Sequence, residues 1–234
     1  MRGLAGGRAQ GGRALLRGLF VTGTDTGVGK TVISAALLHR FAHVAALRYW
    51  KPVQTGIEQD DDTADVLRLS GVGQERVLND GVRLLRPLSP HLSASLANTA
   101  ISLAPLMDMA WSRDDTTHWI VEGAGGVLVP LNEHDLVVDL ITVLGLPVLI
   151  AARSGLGTIN HTLLTVEALR ARAIPIAGIV MVGEQNPDNR IAIETRAHVT
   201  VVGELPPLDP RTPDALQAAA RRMTGLAELD QYFS

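Results

Sequence analysis

Gly23-Thr24-Asp25-Thr26-Gly27-Val28-Gly29-Lys30-Thr31 is the stretch that decides how the rest of this chain is read. An apolar segment, residues 19–22, enters it as a strand. A helical pattern over about 30–43 leaves it, with Val32, Ile33, Ala36, Leu37 and Phe41 near helical spacing. Strand, glycine-rich loop and helix in that order are the context of a phosphate loop. Successive backbone N–H groups converge on phosphate oxygens, and the helix offers its positive N-terminal end. Glycines let the backbone approach without a Cβ in the way. Lys30 is placed to reach β- and γ-phosphates, and the Thr31 hydroxyl to ligate Mg²⁺. Five residues separate Gly23 from Gly29 where four are usual, and Thr24 occupies the customary glycine place. An ordinary strand-to-helix turn would leave Gly-Lys-Thr unexplained.

Outward from the loop, short apolar runs alternate with longer helical patterns, as in βαβ units. Strands are expected at 47–52, 118–122, 147–152, 174–182 and 199–205. Helices are expected at 62–69, 91–98, 103–112, 136–144, 158–172, 187–198 and 212–229. Residues 123–130 read as a glycine-rich loop, and 71–88 give no clear pattern. The sum is a single-domain, doubly wound α/β fold with a mostly parallel sheet, of the P-loop NTPase type, over residues 19–234. Residues 1–18, rich in Gly and Arg, read as a disordered tail without the apolar core of a secretory signal. Nucleic-acid contact by Arg2, Arg8, Arg13 and Arg17 is the weaker alternative.

Composition agrees. The 234 residues are 46% apolar but only 3% aromatic, so the core is aliphatic, as suits a parallel sheet covered on both faces. A net charge of −3 argues against nucleic acid or an anionic membrane as the main partner. No cysteine is present, which removes disulfides, thiolate metal sites and a cysteine nucleophile. The best apolar run, 136–149, is interrupted by Asp139, Gly145 and Pro147 and falls short of the roughly 18 residues of a membrane helix.

Four further segments stand out, three of them at the ends of expected strands, where ligands bind in open parallel sheets. Lys51-Pro52-Val53-Gln54-Thr55-Gly56 aims Lys51 at the cleft of Lys30, although a lysine at a strand end is commonly a surface residue. Asp60, Asp61 and Asp62, with Asp65 a turn later, offer a carboxylate beside Thr31 for Mg²⁺; a solvated acidic helix start is the competing reading for each. Val121-Glu122-Gly123-Ala124-Gly125-Gly126 ends an apolar strand in one acid, which suits a second Mg²⁺ ligand, while a bulged loop is the bland alternative. Gly155-Leu156-Gly157-Thr158-Ile159-Asn160-His161 opens a helix whose free N–H groups suit a carboxylate. The plain reading there is a helix start capped by Thr158, with His161 structural.

Together these segments resemble dethiobiotin synthetases. The family's marks stand at residues 22–31, 51–56, 89–91 (Ser89-Pro90-His91), 121–126 and 156–161, in family order, and the likeness covers roughly 19–210. The resemblance implies a cytoplasmic cyclo-ligase of biotin biosynthesis. It would join CO₂ to 7,8-diaminononanoate at the expense of ATP, through a carbamate and a carbamic-phosphoric anhydride. It further implies Lys30 and Lys51 as catalytic cations and Thr31, Asp62 and Glu122 as Mg²⁺ ligands, with Asp65 or Asp61 as the alternative to Asp62. Thr26, Gly27, Val28, Gly29, Gly123, Ala124, Gly125, Leu205, Pro206 and Pro207 would line the nucleotide. Thr24, Lys51 and Thr55 would touch substrate. Gly157, Thr158 and Asn160 of a partner subunit would hold its distant carboxylate, so a homodimer is implied.

Val182 departs from the pattern, standing where an adenine-reading Asn is expected, so loose discrimination among nucleoside triphosphates is expected. A partitioning or cell-division-site ATPase shares the expected fold, but residues 22–25 lack the extra lysine of that class, and the C-terminal residues 229–234 are acidic rather than a basic membrane helix. A cobyrinate-type amidoligase would need a glutamine-hydrolysing domain and its cysteine.

Overall fold

The computed structural model describes residues 16–113, 116–209 and 211–234. Most of the 1–18 segment, with Arg2, Arg8 and Arg13, lies outside the described residues. Strand β1 spans Arg17–Gly23, so the sheet begins two residues before the expected boundary and takes in Arg17. It is followed by α1 (Lys30–Arg40), β2 (Leu47–Trp50), β3 (Val53–Thr55), α2 (Asp62–Ser70), β4 (Val77–Leu78), β5 (Val82–Leu84), α3 (Pro90–Leu96) and α4 (Leu103–Trp111). Then come β6 (His118–Gly126), α5 (Val137–Leu144), β7 (Val148–Arg153), α6 (Thr158–Arg170), β8 (Ile176–Val182), α7 (Pro187–Ala197), β9 (Val201–Leu205) and α8 (Pro213–Arg222). A 3₁₀ segment, Thr224–Tyr232, closes the chain, where one long helix was expected.

Seven strands form one parallel sheet in the order β4-β2-β6-β1-β7-β8-β9, and β3 and β5 form a separate parallel pair. Alternation of side chains along each strand divides the interior into two cores. Leu19, Val21, Tyr49, Ile120 and Leu149 face α1, α2, α8 and the 3₁₀ segment. Phe20, Trp50, Val121 and Ile150 face the other way, against α3 to α7. Neighbours in sequence thus sit in opposite cores, each fully buried and each contributing about 1.5–3 kcal/mol per large side chain. Trp50 and Trp119 meet in the second core at 6.0 Å between ring centroids.

Three departures from the sequence reading matter for the site. The expected strand 47–52 ends at Trp50, and the chain leaves the main sheet at Lys51 to build the β3–β5 pair. The 123–130 segment is not all loop, because β6 continues through Gly126 and pairs there with Gly23 of β1. Within the unassigned 71–88, two very short strands appear. Among the described residues, no helix is long and apolar enough to cross a membrane.

Candidate active site

The carboxyl ends of β1, β2 and β6 meet at one edge of the sheet. There β1 delivers the phosphate loop. Gly29, the residue before α1, holds φ 95° with no side-chain cap, and a Cβ on it would lie 3.0 Å from a Val182 methyl. Conformation and space both demand glycine. Lys30, buried, donates from Nζ to the Asp25 carbonyl at 3.0 Å, so its ammonium already lies folded over the loop. Burial, reinforced by the charge of Lys51, pulls its pKa down to about 8. On the outer side, Arg153 at the end of β7 clasps the loop. Its Nη1 lies 3.2 Å from Asp25 Oδ2, and its Nη2 donates to the Thr26 carbonyl at 3.0 Å.

The second half of the site grows from strand register. In the parallel β2–β6 pair, Tyr49 lies opposite Ile120 and Trp50 opposite Val121. The next step along both chains brings Lys51 and Glu122 together on the face that carries α1. Lys51 Nζ lies 2.7 Å from Glu122 Oε1 and 2.5 Å from Asp62 Oδ2, and both Lys51 and Glu122 are buried. Burial opposes the Lys51 charge, but Glu122 and Asp62 outweigh it and hold its pKa above the ordinary lysine value. For Asp62 burial likewise pushes up, and Lys51 and Thr31 overcome it, so its pKa is lowered. Thr31 Oγ1 stands 2.7 Å from Asp62 Oδ1 and 3.1 Å from Glu122 Oε1. The remaining oxygen of Glu122, Oε2, accepts from the Tyr49 hydroxyl at 3.0 Å. Burial first, then the Glu122 charge, keep that phenol far from ionising.

Two carboxylates and one hydroxyl converging on a point are hard oxygen donors of the kind Mg²⁺ prefers. The set fits the ion, since Lys51 already supplies positive charge to the same two carboxylates.

The acidic run 60–62 divides its labour. Asp61 caps α2, its Oδ1 accepting from the backbone N–H of Thr63 at 3.0 Å and Ala64 at 3.2 Å. Asp60 uses its carbonyl to accept from Gln54 Nε2 at 3.1 Å. Asp65 pairs with Arg68 at 2.6 Å on the surface. Only Asp62 turns to Thr31 and Lys51.

With that geometry in view, known proteins can be set beside the chain. A family model described as an AAA domain matches residues 17–215. An ATP-dependent dethiobiotin synthetase of Agrobacterium fabrum is 45% identical over 89% of this chain and 94% of its own length. One of Rhodopseudomonas palustris is 46% identical over 90% and 95%. The chain belongs to the dethiobiotin synthetase family.

A bifunctional biotin biosynthesis protein of Bordetella avium is 45% identical over 91% of this chain, which spans only 44% of that longer relative. Among solved structures, a cell-division ATPase of Pyrococcus furiosus superposes with a TM-score of 0.58 at 15% identity, over 94% of this chain and all of that one. A ParA-family ATPase of Chlorobium tepidum gives 0.52 at 12%, over 94% and 96%. At such identities they speak for the fold alone, the parallel P-loop sheet described above.

Thr26 and Gly27 are exposed on the loop, Thr24 is half-buried and Val28 is buried beneath. Gly123 is buried where a Cβ would lie 2.8 Å from the Phe20 ring, and Gly125 runs beside Thr26, its Cβ position 3.7 Å from that hydroxyl, with Ala124 half-buried between them. Thr55, half-buried, ends β3. Leu205 is buried and its carbonyl already accepts from Gly183 N–H at 2.9 Å. Pro206 and Pro207 are exposed and carry no N–H, so backbone reading of a base is left to carbonyls. The expected cap at Thr158 is overturned. Gly157 precedes α6, while Thr158 is inside it and buried, its hydroxyl 3.5 Å from that of Thr162. Gly157 and Asn160 are exposed.

Sequence reasoning missed Tyr49, the Arg153 clasp and Gln54. Gln54 is fully buried and reaches both Asp60 and the Thr63 hydroxyl, thereby fixing the start of α2. Tyr49 and Arg153 stand outside the motifs and are revealed by which strands are adjacent, whereas Gln54 lies inside the 51–56 segment and its role appears only once that segment folds against the start of α2.

Proposed function

We propose that this chain catalyses the ATP-dependent closure of the ureido ring of dethiobiotin from 7,8-diaminononanoate and CO₂, releasing ADP and phosphate. The observation that carries the reading is the pair of buried ammonium groups, Lys30 and Lys51, at one sheet edge, the second tethered by Asp62 and Glu122. One amine of the substrate takes up CO₂ and loses a proton, giving a carbamate. A carbamate oxygen attacks the γ-phosphorus, and ADP leaves. The second amine then attacks the carbonyl carbon, loses its proton, and expels phosphate. Every intermediate is anionic, so fixed positive charge stabilises the steps that build charge.

In this reading the loop 24–29 cradles the phosphates with its N–H groups. Lys30 swings from the Asp25 carbonyl to the β- and γ-oxygens. Lys51 neutralises the carbamate and the transferring phosphoryl group. Thr31, Asp62 and Glu122 would hold Mg²⁺, which would supply further positive charge beside that group. Gly123, Ala124 and Gly125 let the nucleotide pass close to the backbone, and Thr24 and Thr55 contact the diamine. The substrate carboxylate is held by the start of α6 from a second copy, through Gly157 and Asn160 and the backbone of Thr158. In this reading the enzyme works as a homodimer in the cytoplasm, with neither nucleic acid nor membrane as a partner. Val182 presents only methyl groups, which offer no hydrogen bond to a base edge, so CTP and GTP are expected to serve within about tenfold of ATP.

Supplying diaminononanoate, bicarbonate and Mg·ATP should yield the ureido product, read by mass. A Lys51→Gln variant should bind nucleotide and lose ring closure, and retained turnover would remove Lys51 from its role.

A further inference from the structure

Glu122 is wholly buried at the end of β6, and its two oxygens face different surroundings. Oε1 looks into the site, 2.7 Å from Lys51 Nζ and 3.1 Å from Thr31 Oγ1. Oε2 looks back along the sheet, and the Tyr49 hydroxyl donates to it at 3.0 Å. Tyr49 is itself fully buried, with its ring packed in the core beneath α1. Strand register makes this contact: Tyr49 lies opposite Ile120, on the same face as Glu122 two residues on. The ring therefore extends along the strand direction to the carboxylate from below.

A terminal carboxylate torsion is broad, so one occupied oxygen does not fix the plane of the group. We propose that Tyr49 is a positioning residue, whose hydroxyl locks the carboxylate plane of Glu122 so that Oε1 is presented beside Thr31 and Asp62 to the divalent cation of the nucleotide complex. The proposal rests on the reading of Thr31, Asp62 and Glu122 as the cation's ligands. In the free protein Lys51 also steadies Glu122. Once Lys51 turns to substrate and Thr31 to the cation, Tyr49 is the partner left on Oε2. Hydrogen-bond partners behind a ligating group ordinarily change cation affinity by about 10–100-fold when removed.

Tyr49→Phe keeps the ring and deletes the donor. Mn²⁺ binding in the presence of a non-hydrolysable ATP analogue, followed by electron paramagnetic resonance, should weaken by about tenfold or more. Binding of the same analogue in EDTA should stay within a factor of two or so of the parent. Cation affinity unchanged in Tyr49→Phe would overturn the proposal, whatever the change in melting temperature. Glu122→Gln separates the two levels of inference. If it leaves Mn²⁺ binding untouched, the ligand reading itself fails. If it weakens Mn²⁺ binding and Tyr49→Phe does not, only the role of Tyr49 fails. Adding Tyr49→Phe to Glu122→Gln should weaken binding no further.

A measurement on the parent chain guards against a variant that does not fold. The sequence has two tyrosines, Tyr49 and Tyr232. With fluorotyrosine at both, and Tyr232→Phe to assign them, the ¹⁹F resonance of Tyr49 should move when Mg²⁺ is added to the analogue complex. A resonance that stays in place would count against the proposal.

Discussion

At the scale of single residues, the site is a balance of charges held out of water. Lys30 and Lys51 oppose Asp62 and Glu122, and breaking one side of such a buried set costs about 3–5 kcal/mol. Lys30 is the least satisfied member, with its pKa drawn down to about 8 by burial and by Lys51. Bound triphosphate would raise that value again. Below pH 8 Lys30 already carries its proton, so binding takes up little. Above pH 8 the free protein is increasingly neutral there, and binding must draw a proton from solution. Calorimetry in buffers of different ionisation enthalpy should show proton uptake growing from pH 7 to 9 and apparent affinity falling over the same range. A buffer-independent heat at pH 9 would contradict this. The sequence displayed Lys30, Thr31, Lys51 and Glu122 through their motifs. It could not display Tyr49 or Arg153, whose partners lie on the neighbouring strand β6 and on the loop that leaves the neighbouring strand β1, and so depend on sheet order and register.

At the scale of elements, the start of α2 is the most instructive. Three consecutive acids cannot be told apart by type, and the helix phase alone separates them. Asp61 precedes the first turn with extended backbone and accepts two of its N–H groups. Asp61→Ala should therefore cost about 1 kcal/mol of stability, read as a lower urea midpoint, with divalent-dependent nucleotide binding retained. Asp62→Asn should abolish divalent-dependent nucleotide binding, and it should lower stability too, because it leaves the buried Lys51 with one carboxylate fewer. Asp65→Ala, which removes a surface pair, should shift stability by under about 0.5 kcal/mol. A loss of divalent dependence on removing Asp61 would reverse these assignments. Strand content was harder to read. β4 has two residues and β5 three, too few for an alternating pattern to register. β6 hides its end in glycines, which suggest a loop, yet the Phe20 ring packs where a Cβ on Gly123 would stand. Backbone pairing with β1 keeps that segment extended to Gly126.

At the scale of the whole molecule, the doubly wound sheet and its two aliphatic cores were legible from alternation of apolar runs and helical patterns. The small β3–β5 sheet was not, because Lys51-Pro52 reads as the continuation of β2 until its partners are known. The proposed two-subunit site makes a demand on the surface. Leu156, at the turn before α6, is fully exposed beside Gly157 and Asn160. In the proposed two-subunit site this side chain would be covered by the second copy. Leu156→Asp should shift the protein toward monomer in sedimentation and abolish ring closure, while nucleotide binding persists. A dimer of unchanged strength with full activity would move the interface elsewhere.

Gln54 gives the corner of the site a further property. Its side chain bonds to the Asp60 carbonyl and the Thr63 hydroxyl, while its backbone belongs to β3 and its neighbour is Thr55. In the site proposed above, a diamine resting on Thr55 would lie next to the residue whose side chain braces the start of α2, where Asp62 stands. The acceptor end and the phosphoryl end of the cleft would then share one buried support.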